Sequence, residues 1–95
     1  MKITYTDADD KEVSVDISIK GRHIKDAWSK LGAIYDGDEQ NIDKLQEYLA
    51  WRDSVIAEAS GLSVDELDDL DAEEKGKFVS YFTELVEREA GFQRR

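Results

Sequence analysis

The first twenty residues alternate, and the remainder of the chain does not. Ile3 and Tyr5 share one face of residues 2–6, and Val13, Val15, Ile17 and Ile19 share one face of residues 12–19. A period of two carried by β-branched and aromatic side chains belongs to half-buried strands. Asp7 to Lys11, rich in aspartate, reads as the turn between them. A lone two-stranded ribbon is marginal in water, so its apolar face needs a cover. The helical segments that follow are the candidates, which makes the expected class α+β, mainly α.

After Gly21 the period changes. Ile24, Ala27, Trp28, Leu31, Ile34 and Tyr35 fall at helical spacing, with Gly37 as terminator. A second helix is predicted from about Asn41 to Ala59. Its stripe is Ile42, Leu45, Leu49, Ile56 and Ala59, flanked by Tyr48, Trp51 and Val55, and Gly61 stops it. Ser63 and Glu66 have capping-box spacing, which opens a short helix ending near Leu70. Asp71, three residues before Glu74, reads as the N-cap of a last helix carrying Phe78, Val79, Phe82, Leu85 and Val86 and ending at Gly91. Gly32 and Gly76 sit inside these helices, where each costs about 1 kcal/mol relative to alanine. The expectation is one domain over residues 1–95, with a β-hairpin in 1–20 and a helical part in 21–95, forming a small bundle of three to four helices.

Ninety-five residues bury only roughly 60–65% of the surface of the extended chain, so the core is modest. The absence of cysteine excludes disulfides, zinc thiolates and cysteine nucleophiles, and fits a reducing cytoplasm. No stretch approaches the roughly 20 apolar residues that span a bilayer, and the N-terminus lacks the apolar run of a signal peptide. A soluble, cytoplasmic protein is expected. The net charge of −10 is unevenly placed. Residues 1–35 balance six basic against six acidic side chains, whereas residues 36–95 set seven basic against seventeen acidic. Between Arg52 and Lys75 there are nine carboxylates and no basic residue. Such a field opposes nucleic acid and anionic membrane and draws basic partners. The plainer reading is that it solvates an acidic surface.

Catalysis requires a tunable group with an orienting partner. His23, the only histidine, lies among Lys20, Arg22 and Lys25 with no carboxylate in obvious reach, and reads as a surface residue. The carboxylates sit in polar runs rather than singly among apolar residues, so no acid–base pair with separated pKa values is indicated. Asp36, Asp38, Gln40 and Glu47 match positions 1, 3, 5 and 12 of a calcium loop, but Asn41 replaces the required glycine and Asp43 the apolar residue. An incidental acidic loop is the better account. Asp53-Ser54-Val55 resembles the modified serine motif of acyl carriers, yet Ser54 falls mid-helix. No cofactor, metal or catalytic residue is expected, and the protein is read as a non-enzyme.

The aromatics point elsewhere. Tyr48, Trp51 and Val55 widen the stripe of the second helix beyond one contact seam; Tyr81 does so on the last helix, and Phe92 lies past its end. A wide stripe is either covered on two sides or left for a partner. Trp28, Phe78 and Phe82 read as core. Tyr48, Trp51, Val55, Tyr81 and Phe92 are the expected partner-binding residues, because semi-exposed aromatics are frequent interface anchors.

The short strand pair, the segment Lys20-Gly21-Arg22-His23-Ile24-Lys25, an acidic helix ending at Gly61, and the run 61–70, Gly-Leu-Ser-Val-Asp-Glu-Leu-Asp-Asp-Leu, resemble the tail assembly chaperones of long-tailed bacteriophages of the siphophage type. The resemblance covers most of the chain in order and flavour. It implies a protein of the host cytoplasm that binds the tape-measure protein and helps gather tail-tube subunits, without catalytic residues. It also implies that a longer, frameshifted form can exist, and it predicts self-association or co-purification with a long, coiled-coil-forming protein. The alternative is an acidic DNA mimic or other protein inhibitor acting through the carboxylates of residues 53–74.

Overall fold

A computed structural model of the chain describes residues 1–34 and 42–93, with side chains up to Arg88. Two antiparallel strands, β1 (Lys2–Thr6) and β2 (Glu12–Asp16), are followed by helices α1 (Gly21–Ile34), α2 (Ile42–Ser60), α3 (Val64–Asp68) and α4 (Ala72–Gln93). The class is α+β, mainly α, as the change of period from two to 3.6 predicts.

The hairpin register pairs Ile3 with Val15 and Tyr5 with Val13, so the apolar side chains of both strands share a face. Pairing continues one step further, where the Ile17 N–H donates to the Met1 carbonyl at 2.8 Å. On the opposite face the Thr4 and Ser14 hydroxyls share a hydrogen bond of 2.9 Å. Asp7 organises the turn by accepting the N–H groups of Asp9 and Lys11 at Oδ1. The chain reverses through Asp10, which takes the left-handed φ of 61°.

The buried face of the hairpin rests on α4, where the Tyr5 and Phe78 rings meet edge to face with centroids 5.2 Å apart. The cover comes from the same chain. α4 also packs on α1 and α2, which places it at the centre of the fold. Phe78 and Phe82 are fully buried, together with Ile17, Ile34, Ile56 and Leu67 drawn from both strand and helix segments. Trp28 is half-buried, and its indole N–H donates to the Val86 carbonyl at 3.2 Å, tying α1 to α4.

Helix ends follow local chemistry. α2 closes in a Schellman motif: Leu62 N–H donates to the Ala57 carbonyl, Gly61 N–H donates to that of Glu58, and Gly61 adopts φ 80°. The capping box at α3 forms as the spacing predicts, with Glu66 N–H on the Ser63 hydroxyl and Ser63 N–H on the Glu66 carboxylate. Asp71 precedes α4 and accepts Lys75 N–H at its backbone carbonyl, while its carboxylate caps nothing described. Gly91 does not stop α4, which runs to Gln93. With its long periodic stripe docked on three other elements, one glycine costs less than the packing returns.

Candidate partner-binding surface

α2 is the element on which sequence and structure differ most. Tyr48 and Val55, expected to face a partner, are core residues exposed by only 9% and 6%. Burial raises the Tyr48 phenol above its usual pKa, with the positive charge of Arg52 opposing. Trp51 is half-buried and already engaged: Phe82 meets it edge to face at 6.1 Å, Tyr48 lies 5.9 Å away, and Lys30 Nζ sits 5.3 Å from its ring centroid. Tyr81 is half-buried beside β1 and lines a cleft of about 320 Å³ with Met1, Ile3 and Lys77. Phe92 lies outside the residues whose side chains are described, as do Tyr35, Gly37 and the first three positions of the calcium-loop match.

The apolar surface left open on α2 is another set. Ile42 is 64% exposed, Leu49 is 37% exposed, and Leu45 between them is half-buried. Their spacing of three and four places them in one row on the N-terminal half of the helix. Towards the C-terminal half that side is buried at Ala57 and Ser60, where α3 packs on α2. The helix is thus covered on two sides at one end and on one side at the other. Periodicity puts Ile42 and Leu49 on the same stripe as the buried Ile56, because it fixes which residues share a row, while docking decides how much of that row is covered.

The acidic stretch is partly neutralised within the fold. Lys75 Nζ on α4 reaches Asp53 of α2 at 3.0 Å and Asp68 of α3 at 2.8 Å, and Arg52 also pairs with Asp53. Lys77 pairs with Glu74 and donates to the Thr4 carbonyl on the free edge of β1. Glu58, Asp65, Asp69, Asp71 and Glu73 remain exposed without an ion pair.

No catalytic constellation assembles among the described residues. His23 is half-buried with Nδ1 lacking a hydrogen-bond partner, so nothing orients it as a base. Ser54 is mid-helix, and its hydroxyl donates to the Ala50 carbonyl one turn back. No group of three or more acidic or imidazole side chains among the described residues is placed to hold a metal ion. No described helix is long and apolar enough to cross a membrane.

These features define a small hairpin-and-helix domain with an open apolar row at one end of α2 and a largely unpaired acidic flank. Comparison with protein-family models, with curated proteins and with solved structures finds no match.

Proposed function

We propose that the protein is a tail assembly chaperone of a long-tailed bacteriophage, acting in the host cytoplasm by binding the tape-measure protein and helping to recruit tail-tube subunits. The observation that carries this reading is the row of exposed Ile42, half-buried Leu45 and partly exposed Leu49 on an otherwise highly charged body. Burying each large aliphatic side chain contributes roughly 1.5–3 kcal/mol, and association itself costs several kcal/mol. One copy therefore grips weakly, and several copies along a long helical client hold it by multivalency. The surrounding charge keeps the coated client dispersed, and weak individual contacts let tube subunits displace the chaperone in turn. The resemblance carried by the run 61–70 supports the same role. The DNA-mimic alternative is weakened by the pairing of Asp53, Asp68 and Glu74 with cations of the fold.

The test is co-purification of the full chain with tape-measure and tail-tube proteins, for the native sequence and for Ile42→Asp combined with Leu49→Asp. The double variant is expected to lose at least about tenfold in affinity; Ile42→Asp alone, at a position 64% exposed, should weaken binding with its melting temperature little changed, whereas Leu49, 37% exposed, also contributes to stability. Native binding should survive 0.5 M salt, at which exposed charges are strongly screened. A double variant that retains every tail protein, or native binding that vanishes in salt, would overturn the proposal.

A further inference from the structure

Both edges of the two-stranded hairpin are unpaired among the described residues, and the edge of β1 borders a cleft. Antiparallel partners alternate between pairs that exchange backbone hydrogen bonds and pairs that do not. Ile17 N–H donates to the Met1 carbonyl and Asp7 N–H to that of Lys11, so Met1, Ile3, Tyr5 and Asp7 turn their backbone groups to β2. Lys2, Thr4 and Thr6 turn theirs outward. Of these outward groups only the Thr4 carbonyl has a partner among the described residues, the Lys77 ammonium at 3.3 Å. The cleft of about 320 Å³ has Met1 to Thr4 as one wall and Lys77, Ser80, Tyr81 and Glu84 as the other. Those four α4 positions share one helix face, and no β2 residue contributes, which places the cleft on the open side of β1. Met1 and Ile3 lie on the α4 side of the sheet, and Met1 is 68% exposed there. Lys2 projects from the other side and takes part in no ion pair among the described residues.

We infer that this edge receives an extended segment of a partner protein as an additional antiparallel strand, with small apolar side chains facing α4 and a carboxylate opposite Lys2. Outward N–H and C=O groups repeating every second residue are matched by another extended backbone, and the cleft gives its alternate side chains a place to go. The side-chain pattern that β1 accepts is already visible on its paired edge, where Val15 stands opposite Ile3, Val13 opposite Tyr5 and Asp16 opposite Lys2. The same pattern on the open edge sets aliphatic groups against Met1 and Tyr81 and a carboxylate beside the Lys2 ammonium. A second folded copy suits the edge less well. Two-fold pairing of β1 strands would bring both Lys77 side chains together at Thr4. It would also set hairpin centres about 10 Å apart, although the thinnest dimension of the molecule is 19 Å. Lys77 guards the edge against indiscriminate pairing, and its side chain, 49% exposed, is free to turn aside when the strand enters. The site lies on the hairpin, apart from the α2 row, and does not rest on the client proposed above.

The test is hydrogen exchange on the full, isotope-labelled chain with and without the capped peptide Thr-Val-Ser-Val-Glu-Val. Controls are the same peptide N-methylated at Ser and Glu, and a version with Lys in place of Glu. In the free chain the Ile3 and Tyr5 amides should be protected and those of Thr4 and Thr6 should not; saturating peptide should slow Thr4 and Thr6 at least about tenfold. The N-methylated peptide should bind at least about tenfold more weakly, and the Lys version about two- to fivefold more weakly. Thr4→Pro removes an outward donor without touching the ladder to β2 and should abolish binding. Lys2→Glu, at an exposed position, tests the same edge without a proline and should reverse the preference between the Glu and Lys peptides. The inference would be overturned by no slowing of Thr4 and Thr6 at about 5 mM peptide, by equal binding of the N-methylated peptide, or by an unchanged preference in Lys2→Glu. Equal slowing of Ser14 and Asp16, the outward amides of β2, would also overturn it, as would protection of Thr4 and Thr6 that grows with the concentration of the chain alone, the mark of an interface between copies.

Discussion

Three glycines of this chain have opposite consequences although they are chemically identical. Gly61 holds a φ of 80° at the end of α2, a conformation that costs an L side chain roughly 1–2 kcal/mol, so Gly61→Ala should lower stability by about 1 kcal/mol in urea unfolding. Gly32 and Gly76 lie inside α1 and α4, and a Cβ at either meets nothing within 4 Å. Replacing either with alanine should raise stability by about 0.5–1 kcal/mol, measured the same way. Ser63→Ala removes half of the capping box and should cost about 1 kcal/mol. Local chemistry of this kind is readable in advance: the Gly61 stop and the Ser63–Glu66 reciprocity depend only on neighbours within a few positions. The negative field at Tyr5 was not readable, because Asp7 and Glu66, 59 residues apart in sequence, come to act on it only through docking of the hairpin.

Between elements, Lys75 is the principal polar tie, joining α4 to both α2 and α3. The hydrogen bond that Lys75 donates to Asp68 raises its pKa above 10.5, burial opposes, and Asp53 adds to the rise. The folded state therefore binds a proton more tightly than the unfolded state does. That contribution is fully present below pH 10.5 and is lost as pH rises through the folded value. Tyr5 and Tyr48, raised above 10.0 mainly by burial, act with the same sign. Stability should accordingly fall as pH rises above about 10, and Lys75→Met should flatten part of that fall. At neutral pH the same substitution should cost about 1–2 kcal/mol, moderated because Arg52 still pairs with Asp53. The strands were legible because alternation leaves only two faces to choose between, and Ile3 and Tyr5 with Val13 and Val15 chose the same one. α2 offered apolar residues around more than one face, and only the placement of α3 and α4 decides that Tyr48 and Val55 are buried and Ile42 exposed.

At the scale of the molecule, the apolar row of α2 and the unpaired acids of the α2–α3 junction lie at opposite ends of one helix. The apolar row lies at the start of α2, about 27 Å along the helix from the acidic junction at its end, by the rise of 1.5 Å per residue. Client binding at Ile42 and Leu49 should change little between low salt and 0.5 M salt.

The docking of β1 on α4 also sets an order of events during synthesis. The hairpin leaves the ribosome before α4, and the ring that Tyr5 needs, Phe78, is translated 73 residues later. Until then the ribbon has no cover of its own, and contacts this distant in sequence form slowly. Nascent chains ending at residue 70 should show no protected hairpin amides in hydrogen exchange, and chains extended past Val86 should show them. The hairpin is thus made well before the helix that secures it, and for that interval its greasy strands have no cover from α4.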